Sequence, residues 1–283
     1  MGTRVFVTGA SGVLGRAIVQ AAVNAGLAVR QGVRNPAKAE PTTEAVRFDY
    51  SDRSTIPPAF QGISALVLMA PPLDANAPAL LGPALHAARA AQVQQIVLIS
   101  AFGVNHNEQA PMRMVAHLVI DSGLPYTILR PNFFMENFSE GFLANGIREQ
   151  NAIHLAAGNG KTSFISVKDI AAVVVAAVQR SLHDTEIDLT GPEALDHFEV
   201  AKMISEASRR TVVYHALTEE QMLAGARSHG MPEPVVAYLA MLYSIVRAGF
   251  AAGVAPYPKH SGRPAPLAFA DFAEHVAWNK ESR

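Results

Sequence analysis

Apolar residues in the first half of the chain fall in short, nearly unbroken runs. These are RVFVT at 4–8, LAVRQGV at 27–33, AVRFD at 45–49, ALVLMA at 65–70, QIVLIS at 95–100 and YTILRP at 126–131. Runs of this length, rich in Val, Ile and Leu, predict strands buried on both faces, as a parallel sheet requires. Alanine-rich stretches near 13–25, 76–91 and 110–122 separate them and have the spacing of amphipathic helices. Pro78 and Pro111 suit a helix's first turn, whereas Pro83 falls inside one, where a bend is expected. The alternation predicts an α/β fold with a doubly wound parallel sheet.

Beyond Pro131 the pattern loosens. SFISVKDIAAVVVAAVQRS predicts a strand running into a helix, with Ser166 and Asp169 at capping-box spacing. TEIDL and RTVVYHA predict short strands among helices near 196–208, 218–229 and 233–248. A loop punctuated by Pro and Gly, AGVAPYPKHSGRPAP, precedes a last helix around 269–278. The expected division is a nucleotide-binding domain over 1–155 and a portion over 156–283 that completes the sheet and forms a smaller, mixed substrate lobe. The loop over 253–266 is a candidate lid.

At 283 residues, 49% hydrophobic and 17% charged, the chain has the composition of one large buried fold. A net charge of −1 gives no reason to expect nucleic acid or an acidic membrane as partner. The absence of cysteine excludes disulfides, thiolate metal sites and a thiol nucleophile. MGTRVFVTGA lacks a signal-peptide pattern, and IAAVVVAAVQ is too short and too bounded by charge to span a bilayer. The expected location is cytoplasmic, and the expected state a monomer or homodimer. No metal site is expected, because histidines such as His106, His117 and His215 show no paired ligand spacing.

VFVTGASGVLGRA places Gly9, Gly12 and Gly15 directly after the first strand and at the mouth of a helix. The spacing is GxxGxxG, but the physical roles of a dinucleotide loop transfer. Gly9 permits the tight turn, Gly12 lets backbone approach a pyrophosphate, and Gly15 lets helix and strand pack closely. Amides at the helix start, at the positive end of its dipole, then hold the phosphates. A Rossmann-type nucleotide site is expected.

The second strand ends QGVRNPAK, where an NAD-preferring site carries Asp or Glu for the ribose 2′-hydroxyl. Here stand Arg34 and Lys38, with Arg16 across the glycine loop. Guanidinium grips a 2′-phosphate by charge-assisted hydrogen bonds, so NADP(H) is expected over NAD(H). Asp49, at the end of the third strand, has two readings: acceptor for the adenine amino group, or cap for the segment after Ser51. Ala70 and Pro71, in MAPP, and Ser100, Ala101 and Phe102, in SAF, fall at strand ends where ligands sit in such sheets.

VTGASGVLG, VRNPAK, the LIS strand end and SGLPYTILRPNFFMENF together resemble the NmrA-like, atypical branch of the short-chain dehydrogenase/reductase superfamily. GMPEPVVAYLAMLYSIVRAG is similar to the C-terminal part of triphenylmethane reductase and type-2 quinone reductase relatives, and APLAFADFAEHVAW to the ending of ergot-alkaloid-type oxidoreductases. The resemblance covers nearly the whole chain. It implies phosphate contacts at Gly9, Ser11, Gly12, Val13 and Leu14, and the 2′-phosphate at Arg34. It implies a nicotinamide near Ala70, Pro71, Ser100 and Pro131, Asn132 and Phe133.

Extended members of the superfamily carry YxxxK on the helix before SGLPYTILRP. Counted back from Gly123, those positions hold Glu108 and Met112, and there is no tyrosine between Tyr50 and Tyr126 and no lysine between Lys38 and Lys161. Alcohol oxidation by a Tyr/Lys pair is excluded. Arg113, His117 and Asp121 share one helix face by their spacing. His117 as proton donor is one reading; a solvated stripe opposite Met112, Val115 and Val119 is the preferred one.

A reductase whose acceptor delocalises or loses charge needs no protein acid. The expected activity is therefore hydride transfer from NADPH to a flat, apolar, conjugated acceptor: a quinone, an iminium or a triarylmethane-type dye. Phe102, Met112, Phe134, Met135, Phe138 and Tyr238 are the expected pocket walls, with Phe133, Met241 and Tyr243 beside them. The alternative is a redox-sensing regulator that binds NADP(H) without turnover.

Overall fold

The computed structural model describes residues 2–39, 41, 43–71, 74–180, 182–259 and 261–278. The first half contains β1 (Arg4–Val7), α1 (Val13–Asn24), β2 (Ala28–Val33), β3 (Glu44–Arg47), α2 (Ile56–Ala59), β4 (Ala65–Met69) and α3 (Ala77–Ala90). There follow β5 (Gln95–Ile99), α4 (Pro111–Asp121), β6 (Tyr126–Pro131), α5 (Ala144–Gln150), β7 (Ala152–Leu155) and α6 (Val167–Arg180). The chain continues with β8 (Thr185–Leu189), α7 (His197–Ser208), β9 (Val213–Ala216), α8 (Glu219–Ser228), α9 (Glu233–Arg247) and α10 (Phe269–His275).

The chain forms two compact units that interleave along the sequence. One comprises Met1–Pro131, Val167–Leu189 and Tyr257–Pro264; the other comprises Asn132–Ser166, Thr190–Pro256 and Ala265–Arg283.

The first unit is a seven-stranded sheet in the order β3-β2-β1-β4-β5-β6-β8, with every pairing parallel. Strands β4 and β5 are buried on both faces, as their unbroken apolar runs predict. Phe6 is met edge-on by Phe48 at 5.3 Å and by Phe60 at 5.1 Å, and the same core takes in Leu66, Leu81, Ile96, Leu98, Val115, Val119 and Ile128. The edge strand β3 is only half buried and bears Glu44 and Arg47, charges that discourage further strand pairing. Pro111 stands at the first position of α4, and Pro78 in the first turn of α3. Pro83 is accommodated inside α3, which runs on to Ala90 although the ring supplies no N–H.

The second unit holds a two-stranded parallel pair, β7–β9, with α5 and α7–α10. Two of its helix starts are capped locally. Asp196 and Glu199 form a reciprocal capping box on α7, and Thr218 and Gln221 form one on α8. The core is aromatic: Phe138 is met edge-on by Phe164 at 5.2 Å and by Phe269 at 5.4 Å.

The strand predicted over the SFIS stretch does not form; only isolated bridges occur, Thr162 with Leu195 and Ile165 with Phe134. The hydroxyls there are drawn into local polar bonds, Ser163 Oγ donating to Gly253 O at 2.6 Å and Ser166 Oγ to Glu136 at 2.8 Å. Such side-chain bonds compete with a regular ladder. Conversely, α5 and β7 arise where no element was expected, joined by Asn151 in the left-handed conformation (φ 53°) that commonly ends a helix. Among the described residues no helix is long and apolar enough to cross a membrane.

Candidate functional site

In the first unit the strand order reverses between β1 and β4, the place where open α/β sheets bind ligands beyond their carboxyl ends. Thr8 ties the two strands at that edge. Its buried hydroxyl donates to Val67 O at 3.2 Å and accepts from Met69 N at 2.8 Å. Gly9 then turns with φ +59°, and Gly12 N donates back to Gly9 O at 3.0 Å. Gly12 is the N-cap of α1 and offers no side-chain acceptor, so the amides of Val13 and Leu14 start the helix without a side-chain cap. At Gly15 a Cβ would collide with the Gly9 carbonyl and lie 2.8 Å from Ala10 Cα. Ser11 is exposed, and its carbonyl accepts from the Arg16 guanidinium at 2.9 Å.

Arg34 leaves the end of β2 exposed, with no hydrogen bond or ion pair among the described residues, and lies within electrostatic reach of Asp49. Lys38 ends the turn over 36–38; its side chain lies outside the described residues, as does Pro72. The Asp49 carboxylate caps its own turn, accepting from Ser51 N at 2.9 Å and Ser51 Oγ at 2.7 Å. Those bonds, aided by Arg34 and Arg47, hold its pKa below the usual carboxylate value. Of its two readings, the cap is the one seen.

Ala70 and Pro71 are half-buried at the end of β4, where the Tyr50 hydroxyl donates to Met69 O at 2.8 Å. Burial raises the pKa of Tyr50, so this phenol is a fixed strut. Ser100 is anchored by its backbone, donating to Leu129 O at 2.7 Å, but its buried Oγ has no partner among the described residues. Ala101 and Phe102 follow, half-buried, with Phe102 N donating to Pro131 O at 2.9 Å.

Just before α4, Glu108 accepts from Arg113 Nε at 3.1 Å and meets His117 Nε2 at 2.7 Å. The charged stripe is thus partly a network rather than simply solvated. Arg113, largely buried, also approaches Glu186 at 3.8 Å, and Arg130 pairs with Glu186 and with Asp188, the latter at 2.6 Å. No spacing along the chain announces this set of charges, whose members come from α4, β6 and β8. Met112 packs against the core of the first unit.

In the second unit Asn132 is committed internally. Its Nδ2 donates to Ser163 Oγ at 2.7 Å and to Ala251 O at 2.8 Å, and its Oδ1 accepts from Phe133 N at 3.0 Å. Phe133 packs on Tyr243, ring centres 6.3 Å apart. Phe134 and Tyr238 are half-buried and Met241 is exposed, whereas Met135 and Phe138, expected as pocket walls, are sealed in this unit's core. The candidate lid is pinned within each unit. Ala255 N donates to Thr190 Oγ1 at 3.0 Å in the second, and Tyr257 OH and Arg263 reach Asp169 at 3.2 Å in the first. His260 lies outside the described residues.

The model of the family described as NAD(P)H-binding matches residues 9–181. The chain belongs to that family. A relative over nearly the full length is the NAD(P)H azoreductase of Xenophilus azovorans, 32% identical over 286 residues, 96% of this chain and 98% of that one. The agroclavine dehydrogenase of Claviceps fusiformis is 35% identical over 234 residues, 80% of this chain and 81% of the other. Among solved structures, the fold is shared with the Escherichia coli NADPH-dependent quinone oxidoreductase QOR2 in complex with NADPH. The TM-score is 0.83 at 24% identity, covering 96% of this chain and 99% of that one. Triphenylmethane reductase of Citrobacter with NADP(H) gives 0.82 at 23% identity, with coverage of 96% and 99%. The chain is an NAD(P)H-dependent oxidoreductase, and the NmrA-like resemblance stands. The residues fit the cofactor: a helix start without a side-chain cap, a Gly9–Gly15 approach that tolerates no Cβ, and an orphaned hydroxyl at Ser100.

Proposed function

We propose that this enzyme reduces a flat conjugated acceptor, such as a quinone, an iminium, an azo compound or a triarylmethane-type dye, using NADPH in preference to NADH. The observation that carries this reading is α4, which offers neither tyrosine nor lysine and whose one histidine is engaged by Glu108 on an exposed face. Bound NADPH supplies the hydride. The Val13 and Leu14 amides, with Gly9, Ser11 and Gly12, hold the pyrophosphate. Arg34, with Lys38, grips the 2′-phosphate, and Asp49 keeps Arg34 oriented from beside it. Ala70, Pro71, Ala101 and Pro131 bound the reacting end, where Asn132 and Phe133 shape the backbone that follows.

Ser100 Oγ offers its hydrogen bond to a carboxamide or to an acceptor heteroatom, which relieves its buried, unpaired state. Phe102, half-buried at the end of β5, presents an apolar face for a planar substrate. A delocalised product anion takes its proton from water, and an iminium or dye cation needs none. The names of the relatives point the same way.

The test is the loss of NADPH absorbance, beside NADH, with a panel of these acceptors. Acceptor-dependent oxidation with NADPH preferred is the expected result. Tight NADPH binding without turnover on any acceptor would replace the enzyme reading by that of a redox-sensing regulator.

A further inference from the structure

The ten histidines show no ligand spacing in the sequence, yet the fold brings two of them face to face. In the second unit β7 and β9 run parallel with His154 directly opposite His215. Their ring centroids are 4.9 Å apart and their planes within 10°. Both residues are exposed, while Ile153, Leu155 and Tyr214 are buried. Strand alternation puts Ala152 and Val213, the registered pair two residues earlier, on the same face as the histidines. Neither strand places a carboxylate beside the rings.

We propose that His154 and His215 form a two-histidine site for a divalent transition-metal ion. Imidazole suits copper, zinc and nickel, and copper(II) binds most tightly of the divalent series. With metal–nitrogen bonds of about 2.0–2.1 Å, an ion shared by two rings lies roughly 3.2 Å from each ring centre. The observed centroid separation of 4.9 Å then subtends about 100° at the ion, within the range of tetrahedral and square-planar sites. The rings are stacked with nearly parallel planes, so each has to turn until its plane contains that point and a nitrogen faces the ion. Among the described residues no third His, Cys, Asp or Glu joins the pair, so water or a second molecule completes the coordination. Because the two strands come together only in the folded chain, the ion binds the native state and raises its stability.

The test is calorimetric titration of the full chain with copper(II) near neutral pH, joined to electron paramagnetic resonance and thermal melting. His154→Thr, His215→Thr and the double variant are the comparisons, threonine being at home on an exposed strand. The expected result is one strong site whose spectrum shows two imidazole nitrogens, with a higher melting temperature when copper is present. Each single variant should bind at least tenfold more weakly and show one imidazole nitrogen. A melting temperature and circular dichroism spectrum matching the wild type's in the absence of copper would establish that the variants are folded. Equal affinity for the wild type and the folded double variant would overturn the site, since the ion would then sit on other histidines.

Discussion

Gly15 lies so close beneath the carbonyl of Gly9 that a methyl group in place of its hydrogen would collide with that oxygen and with Ala10 Cα at 2.8 Å. The clash is with backbone, which has no rotamer to give. Gly15→Ala should therefore push α1 away from the loop, costing about 1–3 kcal/mol of stability, and should weaken NADPH binding more than any exposed substitution on α1. A thermal melt and a fluorescence titration of NADPH check both. Near-normal affinity in the variant would remove the glycine loop from the cofactor site.

Arg34 owes nothing to folding, being exposed and without a hydrogen bond or ion pair among the described residues. Its replacement isolates a ligand effect. Arg34→Ala should cost about 1.5–3 kcal/mol of NADPH affinity, as for a charge-assisted bond, roughly 10- to 150-fold. NADH affinity and melting temperature should stay within experimental error. Equal loss for both nucleotides would place the arginine elsewhere than at the 2′-phosphate.

The turn at Gly9 and the helix start at Gly12 were legible because they are local: a glycine run between a strand and an apolar helix. The parallel sheet was legible for the same reason, since its central strands β4 and β5 are unbroken apolar runs. What escaped the sequence depends on residues far apart along the chain. Met135 and Phe138 follow the nucleotide unit directly and read as pocket walls, but Phe164, His197 and Phe269 close around Phe138 from distant segments. The Arg130 pairings to Glu186 and Asp188 depend on β6 lying beside β8, as the His154–His215 pair depends on β7 beside β9. Periodicity reports which face of an element is buried, not which element covers it.

Ser100 separates stability from activity. Its Oγ is buried without a partner, and an unsatisfied hydroxyl costs about 1–3 kcal/mol of desolvation. Ser100→Ala should leave the melting temperature unchanged or higher. Turnover with a quinone or iminium acceptor should fall about tenfold, the equivalent of roughly 1.4 kcal/mol and one hydrogen bond. A variant that is destabilised and fully active would assign Ser100 to the scaffold alone.

His197 makes the second unit sensitive to acid. It is 2% exposed among Phe138, Phe164 and Tyr214, its Nδ1 has no hydrogen-bond partner among the described residues, and burial lowers its pKa from 6.5 to about 4. Its position at the first turn of α7 adds the helix dipole against a positive charge; only Asp196 pulls the other way. The unfolded chain takes up this proton near pH 6.5, whereas the folded chain refuses it until about pH 4. Between those values the unfolded state binds more protons, so stability falls as the pH falls. The loss reaches about 3 kcal/mol near pH 4, where the folded chain is only half protonated at this site. Carboxylates titrate in the same window, so the informative quantity is the difference from His197→Leu, which keeps the volume and removes the proton site. Denaturant unfolding from pH 7.5 to 4 should show a shallower decline in the variant, the two curves separating below pH 6.5. Parallel curves would mean that His197 is protonated in the native state and finds a partner when it is.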